Sequence, residues 1–230
     1  MSFKAALRRQ LQNQGWYVRK TAGLPVGVDL CSDLQKFGIA PRCILDIGAH
    51  HGQTALGYAA SFPGSRVFAF EPVSSNFAAL TKATAGNPAI IPINAALGER
   101  SGKMNIHLNP ENSQAGSFLW APGDQSECVE VTTIDDFCTE RNLHPDFTKI
   151  DAEGFDLRVI AGAPKTLASP TLKVVLVEAT LSAHNQHCCQ LAELIEPLQP
   201  YGFRLIGIYD QTLWEVTGQL EFFNALFIRR

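Results

Sequence analysis

Seven short apolar runs, with helical patterns between them, constrain the fold of this chain more than any other feature. They fall at residues 43–47, 66–70, 89–94, 147–150, 172–177, 203–208 and 222–228. "KVVLVEA" is apolar at successive positions, as a strand covered by helices on both faces must be; a strand with one wet face would alternate. Helical patterns lie at 53–61, 75–85, 133–141, 155–161 and 188–198, with Ser74 and Thr132 as N-cap candidates whose hydroxyls accept from first-turn N–H groups. The alternation predicts an α/β fold with a mostly parallel sheet and helices on both faces. "YDQTLWEVTGQL" joins the last two runs without a crossover helix, so the seventh strand is expected to run antiparallel. Residues 102–108 and 129–132 predict a small extra hairpin before the fourth main strand.

The 230 residues contain no repeat, low-complexity tract or Pro/Gly/Ser-rich linker, which predicts one domain: an N-terminal helical extension over 1–40 and a core over 41–230. A net charge of −3 argues against nucleic acid as a partner. Local charge is less even. Lys4, Arg8, Arg9, Arg19 and Lys20 stand without an acid in the first 28 residues, with Phe3, Leu7, Leu11 and Trp16 spaced toward one helical face. Such a stretch over 1–20 suits an anionic membrane surface or a lipid-linked acceptor, and it also reads as a terminal helix packed on the domain edge. No run reaches transmembrane length and no secretory signal is visible, so the expectation is a cytoplasmic protein, with peripheral membrane contact as the variant. Cys31, Cys43, Cys128, Cys138, Cys188 and Cys189 show no paired C-x-x-C spacing and read as buried thiols.

"CILDIGAHHGQTALGYAA" places a glycine-flanked turn between the first strand and its helix, where open parallel sheets hold ligands. Gly48 and Gly52 let the backbone fold tightly and approach a ligand. The spacing is G-x-x-x-G, and the G-x-G-x-x-G that grips a pyrophosphate is missing. Asp46 suits a cationic ligand better than a phosphate, and S-adenosylmethionine carries a sulfonium and an ammonium. In "RVFAFEP", Glu71 ends the second strand, where a carboxylate accepts from both ribose hydroxyls.

These segments occur together with "NAALGERSGKMNI", "VTTIDDF", "TKIDAEGFDLRVIAGA" and "VVLVEAT", in the order and spacing of the FkbM-type S-adenosylmethionine-dependent methyltransferases. The chain resembles that family well over 42–180 and more loosely in "GFRLIGIYD" and "NALFIRR". The resemblance implies a class I methyltransferase (Rossmann-like) fold and O-methylation of a sugar, glycolipid, polysaccharide or polyketide hydroxyl. It also implies cofactor contacts from Asp46, Gly48, Ala49, His50 and Gly52, from Glu71 and Pro72, and from Asn94 and Ala95 beside the adenine. His50 stands where relatives often carry Asn, and Asn224 where they often carry Asp. Ser113, Gly116 and Ser117 resemble a family loop near the active site.

Methyl transfer to a hydroxyl requires in-line approach and loss of the hydroxyl proton. Asp151 and Glu153 in "KIDAEG" are the candidate bases, on one side of the fourth strand if it stays extended, with Lys149 at the same parity one step deeper. Alternatively Asp151 bonds the loop backbone and Glu153 caps the next helix. His184, in "EATLSAHNQHCCQ", is a further candidate base, and Asp151 also lies where it can touch the cofactor. Asp151 with Glu178 could bind a divalent cation, but no metal is predicted, and His184, His187, Cys188 and Cys189 lack a second paired ligand set for zinc. Cys188–Cys189 fits a buried helix start. Competing readings are a nicotinamide-dependent oxidoreductase, which wants a tighter turn, and a non-catalytic cofactor-binding protein. The expected partner is a small-molecule or glycan acceptor; oligomeric state is not legible.

Overall fold

A computed structural model describes residues 23–108, 116–117, 126–182, 185, 188–214 and 216–229. Residues 1–20, Ser113 and His184 lie outside the described residues. The chain forms two compact units, Met1–Ile39 and Ala40–Arg230. In the first, Asp29 caps helix α1 (Leu30–Lys36), its carboxylate accepting from Ser32 N at 2.6 Å.

The second unit runs β1 (Cys43–Ile47), α2 (Gln53–Ser61), β2 (Arg66–Phe70), α3 (Ser74–Thr84), β3 (Ile90–Ile93), β4 (Ala96–Leu97), β5 (Gly102–Leu108), β6 (Gly116–Ser117) and β7 (Ser126–Thr132). It continues α4 (Ile134–Glu140), β8 (Phe147–Ile150), α5 (Asp156–Ala161), α6 (Pro164–Ala168), β9 (Val174–Thr180), β10 (Cys189–Gln190), α7 (Leu191–Leu198), β11 (Phe203–Leu213) and β12 (Leu220–Arg229). The main sheet is ordered β11-β12-β9-β8-β1-β2-β3, with β10 beside β9. β1, β2, β3, β8 and β9 are parallel, and β12 is antiparallel to both β9 and β11. Among the described residues seven main strands form a mostly parallel sheet with the last reversed, as the apolar runs predict, and the architecture is the Rossmann-like one that the family resemblance implies.

The central strands are buried along nearly their whole length because helices cover both faces. One core joins Leu45, Phe70, Val159 and Val177 with Phe203, Phe223 and Phe227 from the antiparallel pair. Phe70 meets Phe137 of α4 edge-on, ring centroids 4.7 Å apart.

The predicted extra hairpin is part of a second sheet, β4-β7-β5-β6, with its own small core of Val73, Ala96, Ile106, Val129 and Val131. Both N-cap expectations shift by one residue. Thr133, not Thr132, caps α4 by accepting from Asp136 N at 2.9 Å, while Ser74 is the first residue of α3 and bonds Glu127 across to the second sheet. Cys188 and Cys189 are buried but precede α7, which begins after Gln190 with a reciprocal Gln190–Glu193 capping box. The described cysteines are all free thiols. Among the described residues no helix is long and apolar enough to cross a membrane.

Candidate active site

The carboxyl ends of β1, β2 and β8 lie side by side, so the turns leaving them form one rim. Sheet register determines its deepest contact. Asp46 on β1 is level with Lys149 on β8, and side chains at paired positions of adjacent parallel strands share a face. The Lys149 ammonium lies 3.5 Å from Asp46 Oδ1 and 3.0 Å from Asp151 Oδ2, and it donates to the carbonyls of Gly48 at 3.0 Å and Ile47 at 3.3 Å. Asp46 is fully buried and Lys149 is 5% exposed. Burial alone would lower the Lys149 pKa, but the charges of Asp151 and Asp46 outweigh it and hold the ammonium above its ordinary value. Burial pushes the Asp46 carboxyl up, opposed by Lys149. Lys149 thus ties the end of its own strand to the turn after β1.

That turn is sterically closed. Gly48 has φ +76°, and a Cβ there would stand 1.9 Å from the Asp151 carbonyl oxygen. The N–H groups of Gly48 and Ala49 both donate to Phe70 O, at 3.1 and 2.8 Å. His50, also left-handed at φ +49°, stacks on His51 with ring centroids 3.8 Å apart. Burial, then the neighbouring His51, lowers the His50 pKa. Ala49 and Gly52 are buried beneath this turn.

Glu71 follows β2 directly and is 5% exposed. Its Oε2 accepts from His50 N at 3.0 Å and its Oε1 from Val73 N at 2.9 Å, with Asn76 Nδ2 at 3.4 Å. Burial raises its pKa against these donors. Asn94 Nδ2 donates to the carbonyls of Glu71 and Pro72, at 2.9 and 3.2 Å, and Ala95 is half-buried beside it. The first and second turns are thereby cross-linked through Glu71, and the third joins them through Asn94.

β8 ends at Ile150, and the chain then leaves the extended conformation. Lys149 and Asp151 keep the shared side expected of them. For Glu153 strand parity no longer assigns a side, because it sits at φ +50° and is followed by Gly154 at φ +88°. The turn is held by Asp156, whose carboxylate accepts from Ala152 N at 2.9 Å and Gly154 N at 3.2 Å. Sequence reading missed Asp156, although an acid three residues into a glycine turn that starts a helix is a detectable signal. Half-buried Glu153 has its pKa pushed up to about 7 by burial, then by the charges of Asp151 and Asp156. Glu178, on β9, is pushed up to about 8 by burial and then Asp151, and it accepts from the Cys188 thiol at 3.1 Å. Asn224, level with Glu178 on β12, donates to Asp210 at 3.1 Å. Among the described residues no group of three or more His, Cys, Asp and Glu is arranged to hold a metal ion.

The order of these turns along the chain coincides with a family. The methyltransferase FkbM domain model matches residues 46–205, from the buried aspartate of β1 to β11. The chain belongs to the FkbM methyltransferase family. No curated protein matches it significantly. Among solved structures, precorrin-6y C5,15-methyltransferase from Geobacter metallireducens GS-15 is similar at 15% identity and TM-score 0.46, over 85% of each chain. N-methyltransferase NodS from Bradyrhizobium japonicum WM9 is similar at 10% identity and TM-score 0.49, over 86% of this chain and 92% of that one. EvdMO1 is similar at 12% identity and TM-score 0.47, over 99% of this chain; the FkbM chain spans 48% of its length. At these levels the likenesses assign no substrate.

Proposed function

We propose that this FkbM protein transfers the methyl group of S-adenosylmethionine to a hydroxyl of a small molecule or glycan: a sugar, glycolipid, polysaccharide or polyketide-type product. The observation that carries this reading is the meeting of the Gly48 turn, Glu71 and the Asp151–Glu153 turn on one rim. The residues present fit the cofactor. Glu71 Oε2 accepts from His50 N, which leaves it a lone pair for a ribose hydroxyl, while Oε1 already accepts from Val73 N and Asn76 Nδ2. Both Asp46 carboxylate oxygens are buried without a hydrogen-bond donor, and the one Lys149 charge is shared between Asp46 and Asp151, so the turn above them lies over a net negative charge that suits a cationic ligand.

When bound, the cofactor supplies an electrophilic methyl on a positively charged sulfur. The chain's own part is to orient the acceptor oxygen and take its proton. Glu153 suits the second task, because a carboxyl with a pKa near 7 is a stronger base than an ordinary one and is still ionised in part at neutral pH. Asp151, ion-paired with Lys149, suits positioning.

Titration calorimetry with S-adenosylmethionine and its demethylated product, with NADH as control, tests the reading. Saturable binding of both sulfur ligands, lost in Glu71→Ala, is the expected result. Binding of NADH alone would replace it with the oxidoreductase reading.

A further inference from the structure

Glu178 is a half-buried carboxyl near the carboxyl end of β9 that neither the turns nor the proton transfer uses. β8 and β9 pair through Ile150 and Val177, so Glu178 stands one step further along, beside Asp151 and one strand spacing, about 5 Å, from it. Burial and then the Asp151 charge hold its pKa up, to about 8, which places it inside the field of the first turn's ion pairs.

Glu178 has no cation of its own among the described residues. Its hydrogen-bond donor is the Cys188 thiol, a weak one, at 3.1 Å. Asn224, level with it on β12, gives its amide N–H to Asp210 instead, at 3.1 Å. Lys149 is already ion-paired with Asp46 and Asp151. The sequence holds no Lys or Arg over 174–203 or over 205–228, so β9, β10, α7 and the neighbouring face of β12 bring none; His184 and His187, between β9 and β10, lie outside the described residues. A carboxyl buried in this way is costly, and a Gln would accept from Cys188 equally well.

The proposed reaction brings a cation to this rim and then removes it. As the acceptor oxygen forms its bond to the methyl carbon, the S–C bonding pair stays on sulfur and the hydroxyl proton passes to Glu153, which leaves the sulfur neutral. We propose that Glu178 tells these two states of the cofactor apart, favouring the positively charged methylated sulfur and letting the neutral product go. The proposal rests on S-adenosylmethionine being the cofactor.

The test is calorimetry of the full chain at about pH 8 and low salt, where the Glu178 charge is available and least screened. The ligands are S-adenosylmethionine, S-adenosylhomocysteine and sinefungin, in which an ammonium-bearing carbon replaces the methylated sulfur. In Glu178→Gln the two cationic ligands should weaken by about threefold or more relative to S-adenosylhomocysteine, whose own affinity is retained. Glu178→Asp keeps the charge and should restore part of the preference. Asn224→Lys leaves Glu178 in place but supplies a cation from the level position on β12, and it should produce the same loss. An unchanged ratio in Glu178→Gln, or in Asn224→Lys should the first variant fail to fold, overturns the proposal and leaves the cofactor assignment standing. So does an equal fall in all three affinities, the mark of a purely structural role. No binding of any of the three by the wild type would remove the cofactor reading and this proposal with it.

Discussion

Lys149 is the residue on which three segments depend. It is ion-paired with both the fully buried Asp46 and Asp151 and donates to two carbonyls of the first turn. Removing it strands a buried carboxylate, the costly case for ion pairs. Lys149→Met should destabilise the fold by about 3 kcal/mol or more in urea denaturation, and Asp46→Asn in the same chain should restore part of that loss. Glu153 is the proposed proton acceptor. If it takes the acceptor proton, Glu153→Gln should cut turnover by about 100-fold or more while cofactor binding persists. In the wild type, turnover should rise with pH through about 7 as the carboxyl ionises. A turnover profile flat across neutrality would remove Glu153 from that role.

At the scale of elements, turns at adjacent strand ends do the positioning. The turn after β1 passes so close to the end of β8 that position 48 has no room for a side chain. Gly48→Ala combines that clash with a left-handed backbone, and its neighbour cannot yield because it is a carbonyl of the opposite turn. A loss of about 2 kcal/mol or more is expected in chemical denaturation, with cofactor affinity falling in parallel. Left-handed non-glycine residues at His50 and Glu153 mark the same two turns. Such conformations persist where surrounding bonds over-determine them, here from Glu71 to His50 N and from Asp156 to the flanks of Glu153.

The molecule as a whole carries excess acid on one rim, with Glu153, Asp156 and Glu178 all held above ordinary carboxyl values. Their raised pKa values mean that the folded state binds more protons than the unfolded chain above about pH 4.5. Stability should therefore fall as pH rises from there through about 8, where Glu178 ionises. Measured from about pH 5 to pH 9, the urea midpoint should decline, and Glu178→Gln should flatten the decline. An unchanged slope in the variant would show that Glu178 titrates normally.

The strands, the reversed seventh strand and the Gly48 and Glu71 positions were legible because apolar runs and glycine spacing are local patterns. So was the family, through segments whose order is itself sequence. Other features depended on register and turn geometry. The pairing of Asp46 with Lys149 joins residues 103 positions apart and exists only because β1 and β8 are neighbours. Strand parity could not place Glu153, because the left-handed turn after Ile150 ends the extended chain on which parity depends. The one-residue shift of the α4 cap to Thr133 depended on which hydroxyl could reach Asp136 N, because Thr132 still belongs to β7. Sequence determined which groups were available, since composition and periodicity fix burial and hydrogen-bonding capacity along the chain. Tertiary structure alone decided which of them met, because the distances and fields that set charge state at this rim arise between strands remote in sequence.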